Sequence, residues 1–432
     1  MPGDAGTRRV LALFETQWDR KQLAACRERW AARIDIEFPE PRDADCPAAL
    51  DPRAYIERAV RGGLGRIDGV LSSSDYPGAA VAAAIAARLG LSGPRPAAVL
   101  EAGHKYYSRV AQRAAVPQSV PAFALLDPRQ PEPRPPLGFP FFMKPVKGSY
   151  SVLARRIEDR AAFDAFVGSR AVLEFGQDYL AIFNRLVEAY TSFEVDGHWF
   201  IAEGLLTGDL VTVEGYAWDR AVEVFGIVDS TLHPNKSFAR FDYPSLLPAE
   251  VQARMVDIAK RVVARLGLDR CLFNVEMMHD PASGRIWIVE INPRICGQFA
   301  DLYQKVDGTN TYELALALAL GERPQLARGE GAFAAAASFP LRIFESLRVQ
   351  EAPTSGDVAA AEELFPETLV WSECAAGDTL AVSDVEEDGG SHRYAVINVG
   401  GESRKEVQSR CDVVHARLGY RMERQAGAPP RR

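Results

Sequence analysis

The segment 271–298, CLFNVEMMHDPASGRIWIVEINPRICGQ, restricts this chain more than any other stretch. Residues 272–278 are apolar and β-branched with polar interruptions, and residues 285–291 form a second such run. Asp280, Pro281, Ser283 and Gly284 between them are turn formers, so the segment predicts a β-hairpin. A hairpin symmetric about Ser283 sets Glu276 opposite Glu290 and Asn274 opposite Asn292. Glu290 and Asn292 are two residues apart and share one face, which leaves Trp287, Val289 and Ile291 on the other. Like charges opposed across a strand pair destabilise it, and a divalent cation removes that cost. Two carboxylates, an amide oxygen and water are the hard oxygen ligands Mg²⁺ takes, with substrate phosphates completing its octahedron. Pro293 ends the second strand, and Arg294 places a fixed positive charge beside the proposed metal. The alternative is a plain amphipathic hairpin with a solvated polar face.

At 432 residues the chain exceeds one core, so two to four packed units are expected. The hydrophobic fraction of 47% suits globular folding, and the net charge of -8 argues against nucleic acid as main partner. No apolar run reaches membrane-spanning length, so no membrane partner is expected. The first apolar run breaks at Glu15, unlike a secretion signal. Cys26, Cys46, Cys271, Cys296, Cys374 and Cys411 form no C-x-x-C, which suggests reduced thiols and a cytoplasmic protein. A Walker A string and a G-x-G-x-x-G are both missing, so a nucleotide site must rest on other features.

Along the chain, strands are expected over 9–14 and 67–71, with helices after each, through Trp30 and over 78–89, the second closed by Gly90. This is an open α/β pattern, whose ligands bind in loops after strand C-termini. Ser74 and Asp75 occupy such a loop and either touch substrate or cap the helix. Residues 101–115 read as one helix, and 130–140 as a proline-rich loop. In FPFFMKPVKGSYS, Lys144 interrupts an apolar strand and needs an anionic partner or a route to water. Gly148, Ser149, Tyr150 and Ser151 follow as a turn able to offer backbone N–H groups to phosphate. Further helices are expected over 158–166, 250–266 and 311–320, and a strand over 222–228. Met255, Ile258, Val262 and Leu266 lie at helical spacing and belong in a core. Residues 229–244 read as a polar loop whose His233, Lys236 and Arg240 either help bind phosphate or acyl groups or are solvated. After Pro324 a separate unit of strands and a terminal helix, 403–418, is expected.

The string VEINPR, together with the strand lysine before G-S-x-S, resembles the ATP-grasp superfamily, nearest its L-amino acid (dipeptide) ligases. The resemblance runs from about Arg9 to Met422. It implies a multi-domain α/β and α+β fold. Its parts are an N-terminal open α/β, Rossmann-like domain (1–115), a small lid (116–202), a large subdomain with the metal site (203–325), a C-terminal α+β subdomain (326–424) and a disordered tail (425–432). It implies two Mg²⁺ ions, with Mn²⁺ as the alternative, on Glu276, Glu290 and Asn292, and Arg294 on the transferred phosphate or substrate carboxylate. Lys105 and Lys144 would contact the phosphates of ATP, and Gly148, Ser149 and Ser151 would cover the terminal ones. Tyr150 and Leu153 stand where the family often has Gly. Glu203 and the backbone of Gly204, Leu205 and Leu206 would bind adenine. Leu210 stands where the family has a ribose-binding Glu, with Asp209 or Glu214 as substitutes.

The implied activity is an ATP-dependent carboxylate–amine ligase. It would join amino acids, or an amino acid and a small acid or amine, through an acylphosphate, releasing ADP and phosphate. Its partners would be the small-molecule carboxylate and amine, and homodimers are common in the family. A carboxylase of the biotin carboxylase kind shares the fold, but has a Glu base where Gln298 stands, and Gln takes no proton near neutral pH. A nucleotide-binding regulatory protein without catalysis would need lost metal ligands, and Glu276, Glu290 and Asn292 are all present.

Overall fold

A computed structural model describes residues 7–47, 49–148, 152–175, 179–382 and 390–424. The chain begins with a parallel sheet of order β2-β1-β3, formed by β1 (Arg8–Ala12), β2 (Ile34–Glu37) and β3 (Gly69–Leu71). The strands expected at 9–14 and 67–71 are present, shortened. The helix expected through Trp30 is a short helix, Asp19–Ala25, and one 3₁₀ turn, Arg27–Arg29. Helix Gly78–Leu89 keeps its expected bounds and ends on Gly90 in the left-handed conformation. Its alanines and Ile85 pack with Leu11, Leu13 and Val70.

Residues 101–115 do not form one helix. Helix Pro96–Gly103 stops at His104, which is extended, and helix Lys105–Ala115 starts afresh. The break has two anchors: the buried His104 ring bonds the Val195 carbonyl (3.1 Å), and Lys105 N–H donates to the Val146 carbonyl (2.8 Å). Lys105 therefore opens a helix instead of lying in the middle of one.

A second, antiparallel sheet has the order β4-β7-β5-β6: β4 (Phe123–Leu126), β5 (Phe141–Pro145), β6 (Arg155–Ile157) and β7 (Phe200–Glu203). Phe141, Met143, Phe163, Phe166 and Phe200 form its core, with helix Arg160–Val167 on one face. Helix Tyr179–Tyr190 lies between β6 and β7 in sequence but packs elsewhere. Its Ile182, Phe183, Leu186 and Val187 join the core of the N-terminal sheet.

The largest sheet is antiparallel, with the order β12-β11-β8-β9-β10-β13-β17-β15. Its first five strands in sequence are β8 (Asp209–Trp218), β9 (Ala221–Leu232), β10 (Phe238–Tyr243), β11 (Cys271–Asp280) and β12 (Arg285–Asn292). The stretch 229–244 is thus a hairpin, not a polar loop: β9 runs on to Leu232 and β10 pairs back on it. Phe241 is buried in the sheet core and Phe238 packs against it, three residues away, because the register with β9 shifts between Phe238 and Arg240. His233 and Lys236 lie in the turn, and Arg240 is engaged by Asp242 (2.7 Å) and Gln408 (3.1 Å). The strands after Pro324 are β13 (Ala335–Ile343), β14 (Leu347–Glu351), β15 (Leu369–Ser372), β16 (Thr379–Leu380), β17 (His392–Gly401) and β18 (Arg421–Arg424). β13 pairs with β10, so the large sheet continues across residue 325, and only β16-β14-β18 form a sheet of their own. Residues 425–432, expected to be a disordered tail, lie outside the described residues.

Helix Ala249–Leu266 covers one face of the large sheet. Met255, Ile258, Val262 and Leu266 pack there with Val211, Val213, Phe273, Val275 and Met277. The opposite face of β8, β11 and β12 carries the polar groups. The chain enters this sheet through Gly208, at φ +129°, where a Cβ would stand 2.2 Å from the His279 carbonyl oxygen. Only glycine fits such a position. Gly208→Ala should lower unfolding stability in urea by about 1–3 kcal/mol. An unchanged midpoint would mean that this entry point yields freely.

Candidate active site

The hairpin register is the one read from the turn: Asn274 pairs with Asn292 and Glu276 with Glu290. β8 extends both rows, with Thr212 opposite Glu276 and Glu214 opposite Asn274. Between Glu276 and Met277 the register slips, and Met277 pairs with Ile288. This bulge inserts Val289 as an extra residue and inverts the alternation before it. Ile286, Ile288 and Ile291 therefore enter the apolar core, while Trp287 and Val289, expected there, stay half-buried.

β12 is an edge strand, and the bulge leaves carbonyls out of its ladder. Arg109, 2% exposed, takes two of them: Ile288 O at 2.7 Å and Val289 O at 3.0 Å. The same guanidinium forks onto Glu203, with Nε to Oε1 at 2.6 Å and Nη2 to Oε2 at 3.2 Å. Lys144 Nζ closes on Glu203 Oε2 at 2.9 Å, which is the anionic partner its strand position required. Burial by itself would raise the Glu203 pKa, but Arg109 and Lys144 outweigh it and bring it down to about 2. Burial lowers Lys144, and Glu203 partly restores it. Both Glu203 oxygens thus serve these two cations, and the Gly204 N–H is taken by Ala122 O at 2.9 Å. Leu205 and Leu206 lie in the half-buried link between β7 and β8.

Lys105 reaches the hairpin from its helix N-terminus. Its Nζ stands 3.4 Å from Glu290 Oε2 and donates to Gly148 O at 2.9 Å. Ser149 and Ser151, assigned to the terminal phosphates, and Tyr150 between them lie outside the described residues. Across the site Asp75 lies 3.0 Å from Lys147 Nζ and 3.9 Å from Arg294 Nε. Ser74 does not face the same way: its Oγ accepts from Gly78 N–H at 3.2 Å and bonds Asp43. Glu214 lies one row beyond the carboxylate pair, away from Glu203, and is 3% exposed. Burial pushes it up to about 8, against opposing pulls from Tyr303 and Arg294. Burial and the neighbouring Glu290 raise Glu276 as well.

Sequence reasoning missed Arg109, Gln112 and Lys147. Lys105, Arg109 and Gln112 fall at helical spacing on one face, and that polar stripe beside Ala111 was the available signal.

The donors suit a hard cation. Asn292 Nδ2 donates to Asn274 Oδ1 at 3.0 Å, which turns the Asn292 oxygen away from that partner. Two opposed carboxylates, one of them driven towards its neutral form, would be relieved by positive charge. Among the described residues no three His, Cys, Asp or Glu side chains converge as a metal-binding group. Glu276, Glu290 and Asn292 would therefore hold Mg²⁺ only with phosphate oxygens completing its shell.

Residues 137–301 match the sequence profile of the ATP-grasp domain. This stretch of the chain is an ATP-grasp domain. The chain resembles in fold the L-amino acid ligase from Bacillus licheniformis, with TM-score 0.69 and 16% identity over 97% of this chain and 99% of that one. It also resembles the biotin carboxylase domain dimer of Hydrogenobacter thermophilus 2-oxoglutarate carboxylase, solved with MgADP, ADP and bicarbonate. There the TM-score is 0.63 and the identity 14%, over 96% of this chain and 90% of that one. Carnosine synthase 1 of Gallus gallus is 42% identical over 84 residues, which make up 19% of this chain and 9% of that protein. Among the described residues no helix is long and apolar enough to cross a membrane.

Two outcomes are expected of this charge arrangement. Arg109→Met should cost about 3–5 kcal/mol in chemical denaturation, because Glu203 keeps its charge with one cation fewer; a loss below about 1 kcal/mol would show that Lys144 alone suffices. Glu214, raised from 4.5 to about 8, keeps a proton in the folded protein that the unfolded chain releases between those values. Stability therefore falls as pH rises through that window. Glu214→Gln should flatten the decline in melting temperature from about pH 5 to about pH 8; the same slope in both proteins would mean that Glu214 is already ionised at the lower pH.

Proposed function

We propose that this ATP-grasp protein is an ATP-dependent carboxylate–amine ligase that forms an amide bond through an acylphosphate and releases ADP and phosphate. One observation carries the reading. Glu276 and Glu290 are opposed in register with Asn292 beside them, Lys105 stands at the Glu290 end of the row, and Arg294 follows β12, the strand that carries Glu290 and Asn292. A metal–phosphate group fits there between carboxylates and cations. The L-amino acid ligase of the same fold supports amino acids as the substrate class, and the MgADP in the carboxylase structure supports Mg²⁺. Two ions are proposed, with Mn²⁺ as the alternative and a homodimer as the assembly.

Glu276, Glu290 and Asn292 would hold Mg²⁺, which would supply positive charge against the charge developing on the ATP phosphates. Lys144, fixed by Glu203, points a buried ammonium at the nucleotide site, and Lys105 adds a second from its helix N-terminus. Both offset phosphate charge on binding. Arg294 stabilises the phosphoryl group as the substrate carboxylate attacks the γ-phosphate, and then the acylphosphate that an amine resolves. The sheet of β4 to β7 excludes water from that intermediate. Adenine binds at the backbone of Leu205 and Leu206, with Glu203 acting through Lys144. Gln298 does not stand as a base: it donates to Ser338 Oγ at 2.9 Å, which counts against a carboxylase of the biotin carboxylase kind.

Phosphate release from ATP and Mg²⁺ should appear only with particular pairs of amino acids, alongside a product of their summed mass less water. AMP and pyrophosphate in place of ADP would overturn the acylphosphate route. With a productive pair, Glu290→Ala should lower kcat at least ~100-fold while circular dichroism stays unchanged. Full activity would sink the metal assignment.

A further inference from the structure

We propose that Lys147 and Asp75 form a positioning pair that sets the reach of Arg294. Asp75 stands in the loop after β3, Lys147 two residues beyond β5, and Arg294 two residues beyond β12, so the three groups come from three different sheets. Asp75 turns a different oxygen to each cation. Oδ2 accepts from Lys147 Nζ at 3.0 Å, while Oδ1 lies 3.9 Å from Arg294 Nε, beyond hydrogen-bond length. Lys147 has little freedom to leave. Its side chain is 5% exposed, and its ammonium lies 5.4 Å from the centre of the Tyr76 ring and 5.8 Å from that of Phe183. Tyr76 is itself pinned, because its hydroxyl accepts from Phe183 N–H at 2.8 Å.

The consequence is electrostatic. With one oxygen neutralised, Asp75 attracts Arg294 without capturing it. Without the Lys147 ammonium, more of the carboxylate charge would act on the guanidinium, whose planar fork suits a bidentate pair. Arg294 would then swing onto Asp75 and away from the carboxylate row. With Lys147 in place Asp75 stays ionised: burial would raise its pKa, and Lys147 and Arg294 hold it well below the usual carboxylate range. Lys147 also adjoins Gly148, whose carbonyl takes Lys105, so one short segment holds Glu203 through Lys144, Asp75 through Lys147, and Lys105.

The inference rests on the reading that Arg294 meets the transferred phosphate, and its test needs no turnover. Calorimetry would compare Mg·ADP with Mg·ADP plus fluoroaluminate, a mimic of the phosphoryl group in transfer. Wild type should bind the fluoroaluminate form more tightly than ADP alone. Lys147→Met should lose about tenfold of that gain, with Mg·ADP affinity within about threefold. Lys147→Arg, which restores the charge, should recover it. The decisive variant is Lys147→Met with Asp75→Asn: removing the captor should bring the gain back to within about threefold of wild type. A double variant as weak as Lys147→Met would mark the pair as plain structural support and overturn the proposal. So would a gain unaffected by Lys147→Met, or the absence of any gain in wild type. Ligated products missing for every substrate pair, with this cycle intact, would remove the amide-forming reading alone.

Discussion

Arg109 has five N–H donors, and all five are used. Nε and one Nη2 hydrogen go to Glu203, the other to Val289 O, and the Nη1 pair to Gln112 and Ile288 O. The guanidinium thereby joins helix Lys105–Ala115, the end of β7 and the edge of the large sheet at one buried point. Each partner answers a separate need. The bulged edge strand has carbonyls with no ladder to join, Glu203 is a carboxylate out of water, and Lys144 needs that carboxylate to stay charged in an apolar strand. Removing any one group leaves another with an uncompensated desolvation cost. The hairpin that carries Glu276, Glu290 and Asn292 is held in place against β7 by this arrangement.

The site is graded in charge. At the β7 end Glu203 is held firmly ionised between cations, while one and two rows along the large sheet Glu276 and Glu214 are pushed towards their neutral forms. A chain of net charge -8 thus gathers Lys105, Lys144, Lys147, Arg109 and Arg294 around the carboxylates Glu290, Glu203 and Asp75. Such local inversion draws anions to a surface that otherwise repels them.

What the sequence disclosed follows from how local each interaction is. The hairpin, its register and the facing carboxylates were legible because one short turn fixes them. The bulge was not, since no residue type announces it, and it moved Trp287 and Val289 off the apolar face. Lys144 declared its need for a counter-ion, but Glu203 could not be named as that partner from local pattern. Arg109 was harder still, because its partners lie 94 and 180 residues away. The break at His104 depends on the Val146 and Val195 carbonyls, and no helix signal encodes those. In 229–244, the register shift between Phe238 and Arg240 sets the two phenylalanines three residues apart, so the sequence shows no strand alternation there.

The large sheet does not stop where the ATP-grasp profile stops. β13 pairs with β10 through Phe241 with Ser338, Asp242 with Ala337 and Tyr243 with Ala336. A part-buried bond runs from Gln298 to Ser338 and a buried one from Asn398 to Asp301 across the same seam. The last hundred residues are therefore not a cassette that recombination could exchange whole. A chain cut near 325 would strip β10 of its neighbour and present a raw strand edge, an invitation to pair with another molecule. Diversification of such a protein must proceed by point changes within a continuous sheet, with both sides of the seam changing together.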